Sequence, residues 1–214
     1  MKRILSAIYL CALMPVYCSL LAQSDNTFQY IKIGTQQWAS TNLNVSNFVN
    51  GDTIPEAKTD EEWEKAGIDK KPAWCYYDNN PRYGEKYGKL YNWYAINDHR
   101  GLAPKGYHIP TDIEWTTLID YLGGEENAGT NMKSRSGWKG DGNGSNSSGF
   151  TALPGGSRYN YGQFRLIENI GFWWSSTELD PTVSWFRCMH YSKNDIIKHY
   201  AFKSYGLSVR CIHD

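Results

Sequence analysis

The sequence has no excess of charge of either sign, because its 22 Lys and Arg residues are balanced by 22 Asp and Glu residues. Proteins that bind nucleic acid through its phosphates need a basic excess, so this balance excludes bulk nucleic-acid binding. The chain also lacks G-x-S-x-G, H-E-x-x-H and C-x-x-C motifs. No local motif therefore indicates a serine hydrolase, a zinc protease or a structural zinc site, although a catalytic triad can assemble from distant residues.

After the N-terminus the sequence has no long apolar run. At the N-terminus, Lys2 and Arg3 precede an apolar stretch over residues 4–14, which is too short to span a bilayer as a stable anchor. This pattern is typical of a secretion signal, and we place its cleavage after Ala22. Residues 1–22 are then removed, and no transmembrane anchor remains.

Residues 23–214 contain no stretch typical of a linker, so we expect them to form a single domain. Its predicted location is outside the cell, on the outer surface or in the periplasm. The alternative is lipoprotein processing at Cys18, but the bulky Tyr17 stands where the processing signal needs a small residue.

Cysteine is scarce, and three residues remain after cleavage: Cys75, Cys188 and Cys211. In an oxidising compartment two of the three are expected to pair. We favour Cys188 with Cys211, because both lie in strand-like runs near the C-terminus. Closing that short loop contributes about 3 kcal/mol in the chain-entropy model. Pairing of Cys75 with Cys211 is the alternative.

Aromatic residues are abundant, at 15% of the chain, which excludes an intrinsically disordered protein. The patterns predict an α+β chain with helices in the first half and antiparallel strands in the second. Capping boxes at Thr59–Glu62 and at Thr111–Glu114 begin two helices, and residues 28–33 and 37–39 form a hairpin. Five later apolar runs have strand length: 150–153, 172–175, 183–189, 196–202 and 207–212.

Six segments, taken in order, resemble one known family, the Fibrobacter succinogenes major paralogous domain. The resemblance covers roughly residues 33–213. The segments are 37–44 (QWASTNLN), 87–95 (YGKLYNWYA), 101–115 (GLAPKGYHIPTDIEW), 149–158 (GFTALPGGSR), 172–178 (FWWSSTE) and 206–211 (GLSVRC).

The resemblance implies a fold similar to C-type lectins and to formylglycine-generating enzymes, with a twisted antiparallel sheet, short helices and a long loop region. The family is secreted or surface-attached, occurs widely in Bacteroidetes-type bacteria and has no settled biochemical role. Its members often carry Cys where this chain has Ala103, and the resemblance implies that this Cys pairs with the one near the C-terminus. Its absence leaves Cys211 to find another partner, with Cys188 as the compensating change.

A metal-dependent enzyme related to formylglycine-generating enzymes is the main alternative function. Those enzymes use two nearby cysteines for copper-dependent oxidation. Cys188 and Cys211 are far apart in the sequence, and neither has a second Cys within a few positions. Because two thiolates must converge on one metal and fold similarity alone does not carry function, we favour a structural role for both.

Calcium is a second candidate ligand. Asp141 and Asn143 lie in a Gly-, Asn- and Ser-rich segment over residues 137–149 that is typical of a surface loop. Glu178 and Asp180 could supply a second group of oxygens. The glycine and the bidentate glutamate of an EF-hand loop are both missing. We therefore predict no cofactor, with Ca²⁺ at these oxygens as the alternative.

The aromatic residues divide into two groups. Trp38, Trp93, Trp115, Trp173 and Trp174 lie inside the family segments, so we expect them in the core. Four tyrosines lie near polar or loop residues and could form a ligand-binding platform: Tyr159, Tyr161, Tyr191 and Tyr200.

Our first functional hypothesis is an exported, non-enzymatic binding or surface-interaction domain. Its partner would be a glycan or a protein on the cell surface or outside the cell. The loops over residues 133–148 and 158–169 would face that partner, because loops on a rigid scaffold can vary without disturbing the core. A structural component of a surface assembly is the third hypothesis, and an exposed, unpaired strand edge would favour it.

Overall fold

The structure is a computed structural model that describes residues 29–214. The expected signal segment, its cleavage site and the alternative lipoprotein site at Cys18 lie outside the described residues. Within the described range no helix is long and apolar enough to cross a bilayer.

The chain has an α+β architecture built from short elements. The helices are α1 Asp60–Ile68, α2 Pro81–Tyr87, α3 Trp93–Ile96, α4 Asp112–Tyr121 and α5 Glu125–Met132. The strands are β1 Tyr30–Ile33, β2 Gln36–Ala39, β3 Trp74–Cys75, β4 Leu90–Tyr91, β5 Tyr107–His108, β6 Ser157–Arg158, β7 Phe164–Arg165, β8 Ile170–Glu178, β9 Val183–His190, β10 Ile197–Phe202 and β11 Ile212–His213.

The strands of residues 29–214 form four small sheets, and every paired strand is antiparallel to its neighbour. One sheet has the order β1-β2-β11-β5, a second has the order β10-β9-β8, and β3-β4 and β6-β7 are two-stranded. We expected one twisted sheet, and the structure divides the strands among four. The three-stranded sheet contains the longest strands and positions the candidate site.

Both predicted capping boxes are confirmed. Thr59 accepts a hydrogen bond from the Glu62 backbone N–H and begins α1, and Thr111 does the same with Glu114 at α4. Asp112, the first residue of α4, forms ion pairs of 2.6 Å with Arg187 of β9 and with Lys198 of β10. The start of α4 is therefore tied to the three-stranded sheet by charge as well as by apolar packing.

Two of the five predicted C-terminal strands differ from the structure. The run at 150–153 forms only an isolated bridge, because its backbone bonds to the chain around the end of α5: Ala152 N–H donates to Met132 O, and Ser134 N–H donates to Ala152 O. The run at 207–212 supplies isolated bridges and the short strand β11. The other three runs are confirmed as β8, β9 and β10.

The five framework tryptophans are buried, as expected. Trp38, Trp115 and Trp173 lie in one core cluster, and Trp93 and Trp174 lie in another. The Trp38 ring packs 4.8 Å from that of Trp115, measured between centroids. Aromatic rings therefore join the four-stranded sheet to α4.

His108 of β5 bridges two carboxylates. Its Nδ1 lies 2.8 Å from Asp214 Oδ1, and its Nε2 lies 2.7 Å from Glu114 Oε1. Burial lowers the pKa of His108, but the hydrogen bonds to Asp214 and Glu114 outweigh it and raise the pKa above 6.5. Burial raises the pKa of Glu114, but hydrogen bonds from Thr111 and His108 leave it below 4.5.

These opposite shifts predict a pH dependence of stability. A raised histidine pKa stabilises the folded state below 6.5, and this contribution is lost as the pH rises through the folded-state pKa. The lowered Glu114 pKa stabilises the folded state above 4.5 and is lost as the pH falls. We therefore expect urea titrations to show a lower free energy of unfolding at about pH 9 than at about pH 6, by less than about 1 kcal/mol for these partly exposed groups.

His108→Gln should flatten this difference, whereas His99→Gln should leave it unchanged, because the His99 side chain is 92% exposed. An unchanged pH profile in His108→Gln would show that the two carboxylates do not stabilise the imidazolium.

Candidate functional site

An aromatic pocket lies against strand β10. It has a volume of about 230 Å³. Six aromatic residues line it: Tyr159, Phe172, Phe186, Tyr200, Phe202 and Tyr205. Pockets with mostly apolar walls and a few polar groups are the usual sites of ligand binding. We define these six residues as the aromatic pocket.

Two groups of aromatic rings form the walls of the aromatic pocket. Phe172 of β8 and Phe186 of β9 stand on one face of the three-stranded sheet, with their ring centroids 5.7 Å apart. Opposite them, the Tyr159 ring stacks on Tyr205 at 4.9 Å with an interplanar angle of 21°. One isolated bridge, between Arg158 and Gly206, holds these two segments together.

The Tyr205 phenol of this pocket is neutral at physiological pH. Burial raises the pKa of Tyr205, and the neighbouring Tyr159 and Tyr161 raise it further. No charged side chain lines the aromatic pocket in the described part of the chain. The pocket therefore suits an apolar or aromatic group rather than an ion.

Strand β10 is at the edge of its sheet, since the strand order is β10-β9-β8. The backbone N–H of Lys203 donates to Thr182 O on the β9 side, directly beyond the pairing of Phe202 with Val183. Because antiparallel pairs alternate, the backbone groups of Lys198, Tyr200 and Phe202 face away from β9.

The outer edge of β10 is open in the described part of the chain. Among residues 29–214 no strand pairs with it, and the outward N–H groups of Lys198, Tyr200 and Phe202 have no hydrogen-bond acceptor. The exposed fractions of Tyr200 and Phe202 are 51% and 52%. An open edge with exposed aromatic residues is a template for pairing with another strand.

The structure brings three of the four predicted tyrosines together. Tyr159 and Tyr200 line the aromatic pocket, and the Tyr161 ring packs edge-on against Tyr159 at 5.9 Å. Tyr191 lies elsewhere, in a polar pocket with Asp141 and Asn143. The platform expected from the sequence is therefore split between two sites.

The phenylalanines of the pocket were not predicted from the sequence. Phe172, Phe186 and Phe202 lie in runs that indicate buried strands, and nothing in such a run shows which ring stands beside an opening. In β10 the exposed Phe202 follows the buried Ala201, an order that only the structure shows.

The four candidate calcium ligands do not converge. Asn143 Oδ1 accepts a hydrogen bond from Trp138 N–H, and Asp180 Oδ1 caps the turn by accepting from the Thr182 and Val183 N–H groups. Glu178 forms an ion pair with Lys203. Within residues 29–214 no group of three or more His, Cys, Asp or Glu side chains is arranged to hold a metal.

The expected Cys188–Cys211 disulfide is corrected by the structure. Cys75, Cys188 and Cys211 are free thiols. Cys188 lies in β9, between β8 and β10, whereas Cys211 precedes β11 of the four-stranded sheet, so the two belong to different sheets. Burial raises the pKa of Cys75 and Cys211 to about 12 and that of Cys188 to about 11. Thiols with such pKa values stay protonated and are poor nucleophiles at neutral pH.

Comparison with known proteins gave one match. The family model described as the Fibrobacter succinogenes major domain matches residues 31–213. No curated protein and no solved structure matches the chain.

Proposed function

The chain belongs to the Fibrobacter succinogenes major domain family, and we propose that it is an exported, non-enzymatic binding domain for an extended segment of an envelope or extracellular protein. The observation that carries this proposal is the meeting of an open strand edge with an aromatic pocket. Three consecutive residues of β10, from Tyr200 to Phe202, line that pocket.

An extended polypeptide matches both features. Its backbone would add a strand to β10 and accept hydrogen bonds from the outward N–H groups of Lys198, Tyr200 and Phe202. Alternate side chains of an added strand point to the same face of the sheet. One of them would lie beside Ala201 and enter the aromatic pocket, which favours an aromatic or large aliphatic side chain.

Export and the absence of catalysis are parts of the same proposal. The N-terminal segment has the charge and apolar pattern of a secretion signal. Because the buried thiols stay protonated, we favour structural cysteines over the catalytic cysteines that an oxidase related to formylglycine-generating enzymes would need. A C-type-lectin-like arrangement is our proposal for the finer architecture, supported by the small antiparallel sheets and the long loop over residues 137–149.

A displayed library of random peptides, selected on the purified protein, tests the proposal. We expect selected peptides to share an aromatic or large aliphatic residue flanked by residues that favour strands. Tyr159→Ala should lower their affinity by about tenfold or more, because it removes one wall of the aromatic pocket.

A matched pair of variants isolates the backbone contribution. Tyr200→Ala removes the ring and keeps the outward N–H, whereas Tyr200→Pro removes both. Proline is tolerated at an edge position whose N–H faces away from the sheet. Tyr200→Pro should therefore bind more weakly than Tyr200→Ala while both keep the wild-type circular dichroism spectrum.

Equal affinities of the two variants, or a library without specific binders, would contradict strand addition. Light scattering adds the test of self-association. If a dimer forms with increasing concentration and is lost in Tyr200→Pro, the strand that pairs with β10 comes from a second copy of this chain. That result would favour a structural surface assembly.

A further inference from the structure

A second, polar pocket lies between the loop over residues 137–149 and the turn that follows β9. Its volume is about 310 Å³. Six residues line it: Asp141, Gly142, Asn143, Tyr191, Ser192 and Asn194. We define them as the Tyr191 pocket. Apart from one tyrosine ring, its side chains are a carboxylate, two amides and a hydroxyl, so an apolar peptide side chain does not suit it.

We propose that the Tyr191 pocket is a binding site for a neutral saccharide. A sugar ring has apolar C–H faces that pack on aromatic rings, and a rim of hydroxyl groups that both donate and accept hydrogen bonds. Tyr191 offers the partly exposed aromatic ring. The carboxylate of Asp141 accepts hydrogen bonds, and the amides of Asn143 and Asn194 both donate and accept.

The polar groups of this pocket are available to a ligand. In the described part of the chain, neither the Asp141 carboxylate nor the Asn194 amide has a hydrogen-bond partner. Asn143 uses its Oδ1 to accept from Trp138 N–H at 3.1 Å, which leaves its NH₂ group as a donor. Binding therefore does not require the pocket to break existing hydrogen bonds at Asp141 or Asn194.

The turn that carries Tyr191 is fixed by a buried lysine. Lys133 is 2% exposed, and its ammonium donates to the backbone oxygens of His190, at 2.6 Å, and Lys193. Burial lowers the pKa of Lys133. The two carbonyl groups bracket Tyr191 and Ser192, so the ammonium holds the ring side of the pocket in place.

The opposite side is fixed by close backbone packing. A Cβ atom on Gly142 would lie 2.4 Å from Tyr191 O, so only glycine allows this approach of the two segments. Trp138 is buried and donates from Nε1 to Ala152 O at 3.0 Å, which ties the loop to the core. Both walls are thus held before a ligand arrives, and preorganisation reduces the entropic cost of binding.

The charge of the pocket selects the class of saccharide. Asp141 is the one carboxylate among the lining residues, and the Lys139 ammonium lies 5.7 Å from the centroid of the Tyr191 ring. These two charges balance, so the site has no net positive charge that would favour a uronic acid or another acidic sugar. A single carboxylate is also a poor calcium site, because Ca²⁺ takes about six to eight oxygen ligands. We therefore expect direct hydrogen bonds to sugar hydroxyls, without a bridging metal ion.

An array of immobilised oligosaccharides tests this site, followed by calorimetric titration of the ligands that bind. The array should contain neutral chains built from hexoses, pentoses and N-acetylhexosamines, and chains that contain uronic acids. We expect a neutral ligand to bind the wild-type protein in a chelating buffer. Asp141→Ala and Tyr191→Ala should each weaken its binding by about tenfold or more.

Matched controls come from α4, outside the Tyr191 pocket. Asp120→Ala removes an exposed carboxylate, and Tyr121→Ala removes a tyrosine that is 66% exposed. Neither should change the affinity. Asp141 is exposed, so its variant tests the site even if Tyr191→Ala unfolds.

The proposal is overturned if no neutral oligosaccharide binds, if only acidic ones bind, if a chelator abolishes binding, or if Asp141→Ala leaves the affinity unchanged. The saccharide proposal is independent of strand addition at β10. Tyr159→Ala and Tyr200→Pro alter the aromatic pocket and should leave saccharide binding unchanged.

Discussion

Replacing Arg210 with alanine should lower the free energy of unfolding by about 4 kcal/mol, an effect typical of breaking a buried polar network. The Arg210 side chain is fully buried, with the residue 1% exposed. Its guanidinium donates to Ala39 O at 3.0 Å, to Phe150 O at 2.6 Å and to Asn42 Oδ1 at 2.9 Å. It also stacks 4.3 Å above the Phe150 ring.

The large effect has two physical sources. Truncation at Arg210 leaves two buried carbonyl oxygens, those of Ala39 and Phe150, without these donors, and each unsatisfied group costs about 1–3 kcal/mol. It also opens a cavity beside the Phe150 ring. Relief of the buried positive charge offsets part of this loss, since burial lowers the pKa of Arg210 to about 9.

Two further variants separate these sources in urea titrations. Arg210→Met fills most of the volume but still leaves the acceptors unpaired, so it should lose less stability than Arg210→Ala while remaining well below the wild type. Arg82→Ala removes an exposed arginine at the start of α2 and should change the free energy of unfolding by less than about 0.5 kcal/mol. A loss of similarly small size in Arg210→Ala would mean that water replaces the guanidinium at no cost.

Asn42 is coupled to the same network. Its Oδ1 also accepts a hydrogen bond from Trp173 Nε1 at 2.9 Å, and its NH₂ donates to Tyr87 O. Asn42 and Arg210 lie in the first and the last of the six segments that carry the family resemblance. This contact gives a physical reason for segments far apart in the sequence to occur together in one fold.

Features that depend on neighbouring residues could be predicted from the sequence. The capping box of α4 needs only Thr111 and Glu114, three positions apart, and the structure confirms it. The hairpin of β1 and β2 was also predicted, because its turn and both strands lie within ten residues. Burial of the framework tryptophans was expected from their positions inside the family segments, and the structure confirms it.

Features that depend on distant partners could not be predicted in the same way. The apolar run at 150–153 has the length of a strand, but its backbone bonds to Met132 and Ser134 instead of to a sheet. The aromatic pocket joins Tyr159 to Tyr200, and neither sequence neighbourhood shows that the two segments meet. The predicted disulfide was wrong for the same reason, because the sequence pattern could not show that Cys188 and Cys211 belong to different sheets.

The two candidate sites favour ligands of different chemistry. At β10, an open backbone edge and neutral rings favour an extended polypeptide with an apolar side chain. At Tyr191, one ring and several hydrogen-bonding side chains favour a hydroxyl-rich ligand. Both sites are held by the same rigid core, so each can be altered by substitution without disturbing the other.

Gly156→Ala should also be strongly destabilising, by about 3–5 kcal/mol, because two effects act at one position. Gly156 has φ +66°, in the left-handed region that L side chains rarely adopt. A Cβ atom there would also lie 2.6 Å from Arg165 O, 2.7 Å from Ile167 N and 2.7 Å from Tyr77 Cε2. Two of these neighbours are backbone atoms, which cannot move aside as the end of a flexible side chain can.

Gly106→Ala is the matched control, because Gly106 has φ +83° but no atom within 4 Å of the added Cβ. It carries the conformational strain alone and should cost about 1–2 kcal/mol in the same urea titration. The difference between the two variants measures the clash at Gly156. Equal losses would show that the residues around Gly156 shift without cost.

The same substitution connects stability to the aromatic pocket. Gly156 directly precedes β6, and Ser157 and Tyr159 line the pocket. A shift of this segment that relieves the clash would move the Tyr159 ring relative to Tyr205. We therefore expect the folded fraction of Gly156→Ala to bind selected peptides more weakly than Gly106→Ala does. Weaker binding in both variants would instead attribute the loss to general destabilisation.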